Sequence, residues 1–144
     1  MKIVACRVKK SKVEVDKKIC GQIKHGLLLL VCMLKDDDES KLDYMVKKCV
    51  NLRIFDDENG NMNKSILDVN GEILSISQFT LAGDTKKGNR PSFINVKDKD
   101  EANRLYKIFN EKLRHYVKVE EGVFGADMQI TSHFDGPITI LIDN

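Results

Sequence analysis

A chain of 144 residues, 42% hydrophobic and 32% charged, has the balance of one globular domain whose core needs no disulfide or metal staple. Its formal net charge of +2 excludes nucleic-acid binding by global charge, so any such site must come from local placement of Lys and Arg. The longest apolar run, Leu27–Leu34, falls short of the about 20 residues that cross a membrane as a helix.

In chain order, residues 2–9 alternate, with Val4, Cys6 and Val8 on one face and Ile3, Ala5 and Arg7 on the other, which predicts a strand. Charge this early gives no secretory leader, so a cytoplasmic location is expected. Lys12–Asp16 alternates again, Gly21 and Gly26 punctuate the chain, and Leu27–Leu34 predicts a buried strand. Asp36-Asp37-Asp38-Glu39 then opens a helix with Leu42, Met45, Val46, Cys49 and Val50 on one stripe. The acids complement that helix start, and the glycine and glutamate of a calcium loop are missing.

Asp57–Asn61 predicts a turn and Glu72–Leu81 a strand. Residues 83–98 form a long loop carrying Lys86, Lys87, Arg90 and Pro91, and loops of that length are usually functional. A second helix is expected from about Lys99 to Tyr116, with Ala102, Leu105, Phe109, Leu113 and Tyr116 on its apolar side. Three strands follow, Val119–Phe124, Asp127–His133 and Ile138–Asp143. Clustered strands with two helices between them predict a single α+β domain over 1–144. Cys6, Cys20, Cys32 and Cys49 make no Cys-x-x-Cys pair and suit structural thiols better than zinc or redox chemistry.

Ordinary nucleophile machinery is absent. His25, His115 and His133 have no partner at a recognisable spacing, and neither a Gly-x-Ser-x-Gly elbow nor a phosphate loop occurs. No metal or cofactor is expected. Along Glu72–Leu81, alternation puts Leu74, Ile76, Gln78 and Thr80 on one face. That face turns polar as the strand ends, which fits the mouth of a pocket as well as a strand end meeting solvent. Gly136-Pro137 before an apolar run reads as a turn.

Taken together in this order, Ser77-Gln78-Phe79-Thr80-Leu81, Lys87-Gly88-Asn89-Arg90-Pro91, Phe124-Gly125-Ala126-Asp127-Met128 and Gly136-Pro137-Ile138-Thr139 resemble the D-aminoacyl-tRNA deacylase family. The likeness runs nearly end to end and includes Arg7-Val8, Lys35–Asp38 and Asn51–Phe55. One departure is Phe134, which stands where the family usually has Asn.

The resemblance implies a mostly antiparallel, barrel-like sheet with two main helices, and a homodimer with its active site at the subunit interface. It implies hydrolysis of the ester of D-aminoacyl-tRNA, with glycyl-tRNA as a further substrate because glycine has no side chain to exclude. Gly136 and Pro137, as a Gly-cis-Pro pair that Arg7 helps to hold across the subunit interface, would aim carbonyls at the substrate's α-carbon and exclude an L-side chain. Ser77, Gln78, Phe79 and Thr80 would form the catalytic segment, with backbone N–H groups as oxyanion donors and the terminal ribose hydroxyl assisting water. A covalent Thr80 is the rival. Phe124 and Met128 would receive the terminal adenine, and Lys86, Lys87 and Arg90 the tRNA phosphates. A related deacylase acting on a small L-residue, and a nucleic-acid-binding module without turnover, stay open beside this reading.

Overall fold

The two alternating segments at the N-terminus are one strand. The computed structural model describes Met1–Asn144 and begins with β1 (Lys2–Val15), β2 (Lys18–Ile23) and β3 (Gly26–Cys32). Then come α1 (Leu42–Asn51), a short pair β4 (Phe55–Asp56) and β5 (Met62–Lys64), β6 (Glu72–Ser77), α2 (Lys99–Arg114), β7 (Val119–Glu121) and β8 (Gln129–Asp143).

β1 is long enough to hold two partners on one edge. Lys2–Val8 pairs antiparallel with β3 and Ser11–Val15 with β2. Its other edge carries β8, antiparallel along nearly the whole length. β3 then pairs with β6, and β6 with β7, both parallel. The sheet curls until β2 meets β7: a Cβ on Gly21 would lie 2.9 Å from the Glu121 carbonyl oxygen. This is the mostly antiparallel, barrel-like core with two helices.

The predicted stripe of α1 is buried as expected, and Asp38 caps the preceding 3₁₀ turn by accepting from Ser40 N–H. Asp37 does something the sequence did not suggest. It is buried and takes the Met1 α-ammonium at 2.7 Å. α2 is capped by Asp98, which accepts from the N–H groups of Asp100 and Glu101. Both helices pack on the face of the sheet that carries Ile3, Ala5, Leu27 and Leu29; Cys6, Val8, Leu28, Leu74 and Ile76 form a smaller cluster on the other face.

Several boundaries differ from expectation, among them β7, which stops at Glu121 rather than running to Phe124. β3 stops at Cys32, so β6 has no ladder to continue on and ends at Ser77. Residues Phe79–Ala82 therefore form a 3₁₀ turn instead of a strand end. α2 stops at Arg114, which leaves Tyr116 exposed rather than on the core side. The last two predicted strands are the single β8, because β1 is long enough to template both.

Candidate active site

β6 and its parallel neighbour β3 end side by side, and the chain leaving β6 must turn there. Gln78 N–H makes one last bond to the Val31 carbonyl at 2.7 Å, and the 3₁₀ turn follows. A helical turn cannot bond the N–H groups of its own first residues; here those belong to Phe79 and Thr80. The Gln78 amide donates to Thr80 Oγ1 at 2.5 Å, and Cys32 Sγ contacts the Phe79 carbonyl at 3.5 Å.

Above these strand ends opens a cleft of about 550 Å³, with 12 of its 17 lining residues hydrophobic. It brings Ser77, Gln78 and Phe79 together with Phe124 and Met128, residues separated by some fifty positions in sequence. The far wall comes from α2 and the loop before it. Tyr106 donates its hydroxyl to the Ser75 carbonyl at 2.8 Å and packs its ring on Phe124 at 5.8 Å. Burial pushes the Tyr106 phenol above its ordinary range, so it stays a donor. Burial also raises the Cys32 thiol, which keeps it protonated and a poor nucleophile. Met128 is wedged as well as exposed to the cleft: a Cβ on Gly122 would meet its sulfur at 2.5 Å.

Thr80 does not line the cleft; it is exposed beside it. The strand face expected to carry both Gln78 and Thr80 does not exist, since the backbone leaves strand geometry at Gln78. Phe79 is exposed and packs edge-on against Phe93 at 5.2 Å.

Lys86, Lys87 and Arg90 are exposed between Asp84 and Ser92, whose backbones bond reciprocally at 2.9 Å. That closure makes the predicted long loop a compact finger, away from the cleft lining. Its return limb does reach the cleft, through Val96 and Lys97. Lys97 and Lys99, on either side of the Asp98 cap, put two cations at an otherwise apolar rim. Sequence reading missed both. The available signal was a pair of cations at the start of a helix, where the macrodipole disfavours them.

Gly136 and Pro137 lie outside the cleft of their own chain. Cys6 pairs with Thr139 and Val8 with Phe134, so Asp135–Ile138 opposes the single residue Arg7 and bulges from the ladder. The Gly136–Pro137 peptide is cis. Gly136 has φ +122°, and an added Cβ would lie 2.8 Å from Ile138 N, so this position demands glycine. Arg7 is 6% exposed and donates to the Ile54 carbonyl at 2.8 Å. Its guanidinium also lies 3.1 Å from Asp56 and from Asp135, the latter an ion pair without hydrogen-bond alignment. The contacts of Arg7 therefore brace the bulge of its own subunit, where a contact across the interface was expected.

Residues 4–143 match the family model described as D-Tyr-tRNA(Tyr) deacylase. A solved structure named "c-Myc DNA Unwinding Element Binding Protein" is 37% identical, with TM-score 0.95 over 100% of this chain and 99% of that one. A structure described as that of "a probable eukaryotic D-amino acid tRNA deacylase" shares the fold at TM-score 0.86 and 18% identity, covering 99% and 98% of the two chains. With its sheet, cleft and end-to-end match, the chain belongs to the D-Tyr-tRNA(Tyr) deacylase family, hydrolases of the aminoacyl-tRNA ester bond.

Proposed function

We propose that this protein removes D-amino acids, and glycine, from tRNA as a cytoplasmic homodimer. The observation that carries the reading is the meeting of Ser77, Gln78 and Phe79 with Phe124 and Met128 in one apolar cleft. The terminal adenine stacks on Phe124 and Met128, and the ester then lies over the 3₁₀ turn. There the N–H group of Phe79, at the cleft lining, and that of Thr80, just beside it, receive the negative charge that develops on the carbonyl oxygen. Gln78 and Ser77 orient the ester, and the neighbouring ribose hydroxyl assists the attacking water. That division of labour suits a cleft whose lining includes no histidine or carboxylate. The Thr80 hydroxyl accepts from the Gln78 amide and has no general base beside it, which supports water over Thr80 as nucleophile.

The chiral filter comes from a second subunit. Asp135–Ile138 projects from β8 with Gly136 and Pro137 exposed, and the edge strand beyond this bulge leaves Leu141 exposed. An unpaired strand edge beside a projecting bulge invites a partner. Carbonyls of the inserted segment exclude an L-side chain and tolerate the hydrogen of glycine. Lys86, Lys87 and Arg90 meet tRNA phosphates from the loop finger.

Deacylation of D-tyrosyl-, L-tyrosyl- and glycyl-tRNA at equal concentration tests this. The D- and glycyl-esters should turn over orders of magnitude faster than the L-ester. Equal turnover of both enantiomers sinks the filter, and a fully active monomer in sedimentation sinks the shared site. A second reading, nucleic-acid binding without turnover, draws on the name of the 37%-identical neighbour; tRNA binding with no hydrolysis of any ester would favour it.

A further inference from the structure

Positive charge is unevenly placed along this chain. Residues 9–25, from the second half of β1 through β2, hold Lys9, Lys10, Lys12, Lys17, Lys18 and Lys24 against Glu14 and Asp16. Six lysines against two carboxylates give +4, twice the net charge of the whole chain, so the remainder is net negative.

Beside this hairpin lies a groove of about 710 Å³, distinct from the cleft, with only two of its 12 lining residues hydrophobic. Lys10, Lys12, Lys24 and Lys118 frame it, together with hydroxyls of Ser11 and Ser132 that sit 2.6 Å apart. Lys12 is already paired with Glu14 at 2.9 Å, and Lys118 with Glu72 at 3.4 Å. Glu72, the one carboxylate of the groove, also accepts Lys24 N–H at 2.9 Å. The Lys10 and Lys24 ammonium groups form no ion pair at all. The groove therefore holds four lysines against one carboxylate, with Lys10 and Lys24 outside any salt bridge, the complement of a phosphodiester chain rather than of an apolar or cationic ligand.

Its distance from the cleft fits the same partner. β6 joins the two, with Glu72 in the groove and Ser77 in the cleft. Five residues of strand at about 3.3 Å each separate them by roughly 17 Å, a span of several nucleotides.

We propose that this groove and the β1–β2 hairpin hold the phosphodiester backbone of tRNA, away from the ester end that occupies the cleft. The identity of the nucleic acid rests on the deacylase reading; the anionic backbone does not.

The test compares full D-tyrosyl-tRNA with D-tyrosyl-adenosine, which has the ester and base but no backbone. In the double variant Lys10→Ala/Lys24→Ala, KM for the tRNA should rise about tenfold with kcat held. The salt dependence of log affinity should become shallower by about two, and cleavage of D-tyrosyl-adenosine should not change. Lys47→Ala/Lys107→Ala, on the exposed faces of the two helices, serves as the control and should do none of this. An unchanged KM and salt slope overturns the proposal, as does an equal loss on both substrates or an equal effect of the control pair. Should the unaltered protein cleave neither substrate, the deacylase reading fails by itself. The groove is then judged by binding of uncharged tRNA: weaker binding by the double variant upholds it, and full affinity overturns it.

Discussion

Two side chains at the site separate positioning from chemistry. The Thr80 hydroxyl accepts a hydrogen bond from the Gln78 amide and stands outside the cleft lining. Thr80→Ala should therefore retain substantial activity, with a loss of about tenfold, ~1.4 kcal/mol. Near-complete loss, or an acylated Thr80 trapped from a stopped reaction, would show the hydroxyl to be the nucleophile. Gly136 differs in kind, because its constraint is in the backbone. With φ +122° and a Cβ position 2.8 Å from Ile138 N, alanine must push the bulge out of place at a cost of order 1–3 kcal/mol. Gly136→Ala should cut D-ester hydrolysis strongly and lower Tm by only a few degrees. Activity retained at the original level would mean that Asp135–Ile138 does not reach the substrate.

At the level of elements, the β1–β2 hairpin carries a visible cost. Its two-residue turn, Asp16-Lys17, has φ of 50° and 63°, as a type I′ turn requires. Asp tolerates this region, but a long side chain at the second position is disfavoured where glycine is the usual choice. Lys17→Gly should raise the stability of the fold by roughly 0.5–1 kcal/mol, the left-handed strain relieved less the entropy that glycine adds to the unfolded chain, measured by denaturant unfolding. No gain would mean that the turn is held by packing rather than strained. The substitution also removes one charge from the most basic segment of the chain.

For the molecule as a whole, buried thiols and a buried phenol make stability fall at alkaline pH. Burial moves Cys49 from the ordinary 9.0 up to about 12 and raises Cys6, Cys32 and Tyr106 in the same direction. Above pH 9 the unfolded chain gives up these thiol protons while the folded chain keeps them. The folded state then binds more protons, so stability falls as pH rises. The Cys49 contribution is fully present below about pH 9 and is lost by about pH 12, at up to ~1.4 kcal/mol per pH unit. Unfolding in urea at pH 8 and pH 10 should show this decline, and Cys49→Ala should flatten it. A slope unaffected by that substitution would place the alkaline sensitivity elsewhere.

By itself the sequence determined what depends on local periodicity and local chemistry. The apolar stripe of α1 is an example, since each of Leu42, Met45, Val46, Cys49 and Val50 is buried. The family was also legible, because the motif from Ser77 to Leu81 and the Gly136-Pro137 pair are contiguous strings. Tertiary structure decided where strands stop. Alternation continues past Ser77, but a strand exists only while a neighbour offers hydrogen bonds, and β3 ends at Cys32. The same rule fused the last two predicted strands along β1. It also decided which residues share the cleft: Tyr106, Lys97 and Lys99 reach it because α2 packs across the sheet, and no spacing in the chain encodes that. Asp37 shows the limit most plainly. Three adjacent aspartates look alike in sequence, and only the fold brings the Met1 ammonium to one of them.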